Sequence, residues 1–532
     1  MAMASGTLTS RLLGLVRMAV MVGVFGSGLT AAANAFDVAN GVPNFIYAIL
    51  AGGVLNAVLV PQIVRAFADG RGNEYVYRLL TLGTVILAVL TIALTLGAAW
   101  LVLAFTSGWP ADQLALATTF AYWCVPQVFF YGLYTLWGQV LNARGSFAAV
   151  MWAPVLNNVI SIIGFGTFAI VFKQKTDVTG WSGGQVFLVA GTATAGIALQ
   201  ALVLLIPMAR LGLWPRLRFG FRGYGLSRAA TIAGWTTLAT LVDQTAMLVA
   251  VRFSSAAQHA APNGQLVASN WALTYGLSTY IIPHSLITVS LTTAIFTRMS
   301  QAAVAGDMAA VRRDLSYGIR TTSVFSCFFT AVLVTLALPI TRLLLFTSSP
   351  DGIAPAAAVL VPLALGLVPL GITLLVRRVF FALDDGRTVF WLQVPMSLVW
   401  IGFAFLSIKL LPPSWWVIGV GLGQTLSFLA GAVLRLNSLH DRLGGVDGRR
   451  LAWMHLRTGA AAVVTGLFGY LLGRWLPFAS PIASRGAALG NVVVVGLAMT
   501  VVYLLCLRLM RVRELSDFLA PALSKLRHRS AG

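Results

Sequence analysis

"YGLYTLWGQVLNARGSFAAVMWAP", residues 131–154, is an apolar run that stops at Arg144 and Gly145 and resumes as a second run interrupted by Pro154. The pattern returns at residues 371–395, "GITLLVRRVFFALDDGRTVFWLQVP", with a turn at Gly386 and a proline at Pro395, so both the glycine and the proline are displaced by 241 positions. A second pair, "VPNFIYAIL" at Pro43 and "IPHSLITVS" at Pro283, is displaced by 240. Each opens the long half of a proline-interrupted helix leading to a basic loop with one acid, Asp69 or Asp307. A repeat of this length predicts two lobes. With six helices in each, the lobes share one orientation and are related by an axis along the membrane normal, an arrangement that places a substrate site between the halves.

Composition supplies the membrane. Of 532 residues, 58% are hydrophobic and 10% charged, and apolar runs long enough to cross a hydrocarbon layer of about 30 Å recur throughout. Reading them between glycine, proline and charge clusters gives an all-α polytopic protein of fourteen spans, from 10–28, 36–65 and 79–106 to 414–434, 457–476 and 486–507. The predicted divisions are an N-lobe at 1–215, a C-lobe at 216–445, two further helices at 446–510 and a basic tail at 511–532. The net charge of +21 does not point to nucleic acid, because the bases cluster in short loops between apolar runs. Arg71, Arg78, Arg144, Arg210, Arg216, Arg218, Arg298, Arg312, Arg442 and Arg449 fall on alternate loops, whereas the other loops hold little beyond Lys173 and Lys175. This asymmetry predicts that both termini are cytoplasmic. In the tail, Arg513, Lys525 and Arg527 around Phe518 and Leu519 suit a basic amphipathic helix on the inner leaflet, the alternative being a frayed, solvated tail. Cys124, Cys327 and Cys506 lie in apolar runs without metal or redox spacing. The first span followed by "TAAANA" has some likeness to a secretion signal, but Arg17 interrupts its apolar core.

Ionisable groups within the spans are the functional candidates, since each costs about 2.5 to 3.5 kcal/mol at the bilayer centre and normally faces a cavity or a partner. Arg11 and Arg17 lie about 9 Å apart along one helix and about 120° apart around it, so both can border a wide cavity, and guanidinium groups suit a phosphate-bearing substrate. A short turn separates them from Asp37, which predicts an Arg17–Asp37 pair. Asp243 and Gln244 fall mid-helix, with Arg252 nearer the outer end. Asp243 is a candidate for coupling transport to a sodium or proton gradient, with the membrane potential as another drive, or it may be held by a neighbouring hydroxyl in its own lobe. The ordinary reading of His284 is a satisfied hydrogen-bonding residue, and that of Arg377, Arg378, Asp384, Asp385 and Arg387 is a salt-bridged cytoplasmic turn. No Walker A loop, zinc-protease helix or nucleophile motif occurs, so neither an enzyme nor a cofactor is expected.

"SRLLGLVR" with "FGSG", "ANAFDVANGVPNF", "LNARGSFAAVMWAPVLNN" and "RRVFFALDDGRT" together resemble the MurJ (MviN) lipid II flippases of the multidrug/oligosaccharidyl-lipid/polysaccharide exporter superfamily, over nearly the whole chain. The resemblance implies a bacterial inner-membrane transporter with two V-shaped lobes, alternating access, a groove for the lipid tail beside the last two helices, and basic cavity residues that meet the pyrophosphate of lipid II. Arg11 and Arg17 match the helix-one arginines of that pattern. Asn34, Asp37, Asn44 and Arg252 complete the substrate-binding candidates, and Asp243 and Gln244 the ion-coupling ones. The partners implied are lipid II, membrane lipids and cell-wall synthesis proteins. The chain also departs from the pattern: Asn34 stands where many members have an acid, Tyr47 and Ala48 where they have a basic pair, and Leu277, Ser278 and Ile281 where they have charged residues. Either the same headgroup is bound by fewer guanidinium groups, with Arg252 substituting, or the substrate is another lipid-linked molecule. An exporter of drugs or other lipid-linked oligosaccharides, and a non-transporting cell-wall scaffold, are the alternatives.

Overall fold

In hydrocarbon a backbone must satisfy its own polar groups, which long apolar runs achieve as helices. The structure, a computed structural model, describes residues 2–51, 72–214, 216–218, 227–262, 265–476, 484–512 and 514. Its helices are α1 (Ala2–Phe25), α2 (Ala31–Leu50), α3 (Gly72–Leu96), α4 (Ala98–Phe105), α5 (Ala111–Ala143, broken near Pro126), α6 (Phe147–Phe172) and α7 (Gly183–Arg210). They continue with α8 (Ser227–Ala260), α9 (Asn270–Val304), α10 (Met308–Thr335), α11 (Ala337–Leu344), α12 (Ile353–Leu365), α13 (Leu367–Ala382), α14 (Gly386–Leu410) and α15 (Pro413–His440). The last two are α16 (Gly448–Trp475) and α17 (Arg485–Leu509). Among the described residues ten helices are long and apolar enough to cross a membrane, or eleven if Pro350–Leu365 and Leu367–Ala382, bent by 46°, form one span. This is compatible with fourteen. The predicted second span beyond residue 51, the loop with Arg65, Asp69 and Arg71, and most of the tail, including Arg513, lie outside the described residues.

The turns between spans are built alike. At Gly145-Ser146, Gly306-Asp307 and Asp384-Asp385 the first residue is left-handed, with φ of 77°, 74° and 55°. The second residue donates its N–H to the carbonyl of Leu141, Ala302 or Phe380, at 2.8, 2.9 and 2.9 Å. That six-to-one bond closes the preceding helix and satisfies carbonyls that would otherwise have no partner. Asp307 and Asp385 then accept from the N–H of Ala310 and Thr388, at 2.8 and 2.9 Å, and so start the next helix. Gly145 therefore corresponds to Asp384, and Gly386 is already the first residue of α14. The 241-residue glycine match is a coincidence of spelling, while the turn it marked is real.

Helices α1 to α7 pack on one another, with α1 lying along α6 and α2 against α5. Their core is aromatic: Phe36 meets Phe120 and Phe165 edge to face at 5.6 and 5.8 Å, and Trp181 covers Phe120 at 5.1 Å. Such pairs add about 0.5 to 1.5 kcal/mol each beyond the area they bury. Helices α8 to α15 form a second set around Trp271, Tyr275, Leu360 and Val420, and α16 and α17 pack on each other, with α16 against α10.

The two sets are stitched together near the end of the bundle that carries Phe25 and Asn270. There Trp109 Nε1 donates to the carbonyl of Ser255 at 2.8 Å, His259 Nε2 contacts Gln113 Oε1 at 2.8 Å, and Thr347 donates to the carbonyl of Ala19 at 2.6 Å. Gly28 lies flat beneath Trp271, where a Cβ would stand 2.1 Å from the indole.

Candidate functional site

Two cavities lie between the sets of helices, one above the other. The one toward the turn of Asp385 has a volume of about 670 Å³. Its polar lining comes from Arg11 of α1, Asp243 and Gln244 of α8, His284 of α9, Arg377 of α13, Gln393 of α14 and Arg435 of α15. The other, about 400 Å³, is lined by Asp37 and Asn44 of α2, Asn270 and Thr274 of α9, and Gln424 of α15. Asp243, Gln244 and Phe428 belong to both linings and form the layer between them.

Asp243 is held by an amide. Gln393 Nε2 donates to its Oδ1 at 2.9 Å, and Gln393 Oε1 in turn accepts from Arg435 Nη2 at 2.8 Å. Arg435 is 2% exposed, and its Nη1 reaches the carbonyl of Thr373 at 3.2 Å, while its Nε has no partner among the described residues. Arg377 and Arg435 both act electrostatically on Asp243. Arg377 is open to the cavity, which corrects its placement in a cytoplasmic turn. The salt-bridged cluster expected at that turn is found only in part: Asp385 pairs with Arg442 at 2.5 Å, whereas Arg378 lies over Phe296 and Arg387 over Trp235. Gln244 donates to the carbonyl of Phe45 at 3.2 Å and so ties α8 to α2. His284 is 5% exposed, and among the described residues its Nδ1 has no partner, in contrast to the satisfied histidine expected from sequence. It opens a π-helical turn, His284–Thr288, directly after Pro283, the kind of local widening that often accompanies functional sites.

The predicted pair of Arg17 with Asp37 does not form. Asp37 faces the other lobe, where its Oδ2 accepts from Asn270 Nδ2 at 2.5 Å and Thr274 Oγ1 at 3.0 Å. Arg17 faces into the first set of helices and acts electrostatically on Tyr131, which stacks on Tyr47 at 5.1 Å. Because α1 lies along α6 and α2 along α5 and α9, closeness in sequence does not bring these two side chains to one interface. Arg17 and Arg252 line neither cavity. Arg252 donates to the carbonyls of Leu103 and Ala104, at 2.7 and 3.0 Å, in the last turn of α4. Asn34 is buried. It donates to the carbonyl of Thr30 at 2.9 Å and accepts from the N–H of Trp271 at 3.1 Å, capping α9 from the opposite lobe. Asn44 lines the smaller cavity and donates to the carbonyl of Asn40 at 3.1 Å. Of the predicted residues, Arg11, Asp243 and Gln244 thus meet in the larger cavity, and Asp37, Asn44, Asp243 and Gln244 in the smaller.

A sequence model described as lipid II flippase MurJ matches residues 21–484. The chain belongs to the MurJ family. A curated lipid II flippase MurJ of Burkholderia cenocepacia is 27% identical over 472 residues, covering 87% of each chain. The fold superposes on a solved lipid II flippase MurJ in an inward closed conformation with a TM-score of 0.72, covering 98% of this chain and 99% of that one at 18% identity. An inward-facing multidrug resistance MATE family transporter of the MOP superfamily gives a TM-score of 0.64, covering 83% and 99% at 16% identity.

Within this MurJ-family fold, sequence reading missed Gln393 and Arg435 and misplaced Arg377. The span predicted to end at 434 left Arg435 just outside, whereas α15 continues to His440 and carries it inward. Gln393, two residues before the repeat's Pro395, was the available signal: an amide in an apolar run is costly unless paired.

Proposed function

We propose that this chain moves lipid II across the bacterial inner membrane by alternating access, binding its pyrophosphate in the larger cavity. The observation that carries this reading is the charge inside it. Arg11, Arg377 and Arg435 share its lining with the single carboxylate of Asp243, a net of two positive charges against the two negative charges of a pyrophosphate diester. Guanidinium forks bind such oxygens bidentately. The basic residues absent at Tyr47, Ala48 and Ser278 are thereby replaced from α13 and α15, and Arg252 is not the substitute. An exporter of cationic drugs would expose its acid to an apolar chamber. Here guanidinium groups surround the acid, which disfavours that reading.

The basic turns at Arg144, Arg312, Arg387 and Arg442 support placing that end of the bundle, with both termini, in the cytoplasm. In this orientation the lobes are joined at the outer end. For the drive we favour the membrane potential, worth about 2.3 kcal/mol per charge per 100 mV, which expels an anionic headgroup from an inside-negative cell. Asp243, already balanced by Arg377 and Arg435, then orders the guanidinium groups and is not the primary ion site. The transport step needs no covalent chemistry, and cell-wall synthesis proteins are the natural partners of the product.

The test is the Arg11→Ala/Arg377→Ala double variant in cells depleted of their own flippase, with lipid II retention by the purified protein measured alongside. Loss of growth together with at least a tenfold loss of retention is expected. Full growth with unchanged retention would overturn the assignment, and a wild type that recruits cell-wall proteins but transports nothing would favour the scaffold.

A further inference from the structure

At the bundle end that carries Asp385, away from both cavities, a polar crevice of about 1370 Å³ opens between α10, α16 and the end of α17. Its floor is Arg320 of α10, whose side chain is 9% exposed. Arg320 pairs with Glu514 through Nη1 and donates from Nε to the carbonyl of Ser316 at 3.3 Å. Its walls carry Arg449, Arg450 and Arg457 of α16 and Arg511 beyond α17. Arg450, Met454 and Arg457 recur four and three residues apart, so one face of α16 turns both guanidinium groups into the crevice.

Both carboxylates in the lining are already engaged. Asp447 accepts from Arg312 at 3.1 Å and Glu514 from Arg320. Arg449, Arg450, Arg457 and Arg511 therefore gather without a carboxylate partner among the described residues. Four like charges around one crevice repel one another, and an anion placed among them relieves that repulsion. The rim has the opposite character. Trp453 and Leu509 are 54% and 81% exposed, and tryptophan beside arginine marks the level where a span meets the headgroup layer.

A free phosphate ion would satisfy the arginines and leave that rim uncovered. A phospholipid satisfies both, with its phosphate among the guanidinium groups and its acyl chains on Trp453 and Leu509. We propose that this crevice binds the headgroup of an anionic phospholipid from the leaflet it faces. The site is separate from the transport cavity, and also from the apolar groove between α10, α12 and α16 lined by Val334, Val361 and Leu467. It stands whether or not the chain carries lipid II.

The experiment is native mass spectrometry of the full chain released from nanodiscs of phosphatidylethanolamine with increasing phosphatidylglycerol. The wild type is expected to retain one phosphatidylglycerol in preference to phosphatidylethanolamine. The Arg450→Gln/Arg457→Gln variant, lacking two basic residues at an anionic surface, should hold it about thirtyfold more weakly. Arg450→Lys/Arg457→Lys, which keeps the charge, should remain within about threefold. Equal retention of the two lipids, retention unchanged in the glutamine variant, or full displacement by millimolar inorganic phosphate would each overturn the proposal. If the double glutamine variant does not fold, Arg449→Gln alone, on the exposed wall, decides through a severalfold loss.

Discussion

At the scale of single residues, the turn before α14 shows how one carboxylate serves two helices. Asp385 caps α14 through the N–H of Thr388 at 2.9 Å, accepts from the Thr388 hydroxyl at 2.6 Å, and pairs with Arg442 near the end of α15. Partial burial pushes its carboxyl upward, but the hydrogen bonds from Thr388 and Arg442 outweigh this and hold it below the usual carboxylate range. A depressed folded-state value means that the contribution to stability is complete above the unfolded value of about 3.9 and disappears as pH falls through the lower folded value. Asparagine caps a helix nearly as well as aspartate, so Asp385→Asn removes the charge and leaves the cap. The gap in melting temperature between wild type and Asp385→Asn should be constant from about pH 5 to 8 and narrow progressively as pH falls below about 4. A gap that stays unchanged down to the lowest pH at which the protein remains folded would show that the Arg442 pairing is not its source.

At the scale of elements, α4 ends where Arg252 reaches across from α8. The guanidinium supplies two donors to the carbonyls of Leu103 and Ala104, groups that a helix end leaves without partners and that carry the negative end of its dipole. If this is its role, Arg252→Met should lower stability by about 1 to 3 kcal/mol, the usual cost of uncovering such acceptors, and leave lipid II retention unchanged. Selective loss of retention at normal stability would return Arg252 to the substrate site. The helices themselves were legible because apolar runs of twenty residues have few other fates. The ends were not, and the site was lost there. An arginine at the edge of an apolar run, as at Arg377 or Arg435, reads the same whether it lies one turn inside the helix or just outside it. Only the packing of α13 and α15 against α14 decides. Arg17 and Asp37 failed for a related reason, since a tight turn fixes which residues are near in sequence but not which helix faces each side chain.

At the scale of the whole molecule, the bonds between the lobes have a direction. Asp37, Asn34, Trp109, Arg252 and Thr347 all cross between the two sets near the end that carries Phe25 and Asn270, while the guanidinium-lined cavity lies toward the opposite end. A transporter that alternates must break one such set of contacts to form another, and its resting population depends on their difference. Asp37 is the acidic member, accepting from both Asn270 and Thr274. Hydrogen bonds to charged groups are worth about 1.5 to 3 kcal/mol each, so removing this acceptor weakens the closure near Asn270 by roughly 2 to 4 kcal/mol once water satisfies part of what is released. A shift of that size changes the ratio of the two states by about 30-fold to 1000-fold. Asp37→Ala, with spin labels placed across the lobes at each end, is therefore expected to gain a longer-distance population near Asn270 and a shorter one near Asp385. If the lobes rock as units about the layer of Asp243 and Gln244, which both cavities share, the two changes appear together. Distance distributions identical to wild type at both ends would mean that Asp37 only fastens α2 locally. Lengthening near Asn270 alone would mean that the outer end frays without the lobes moving as units.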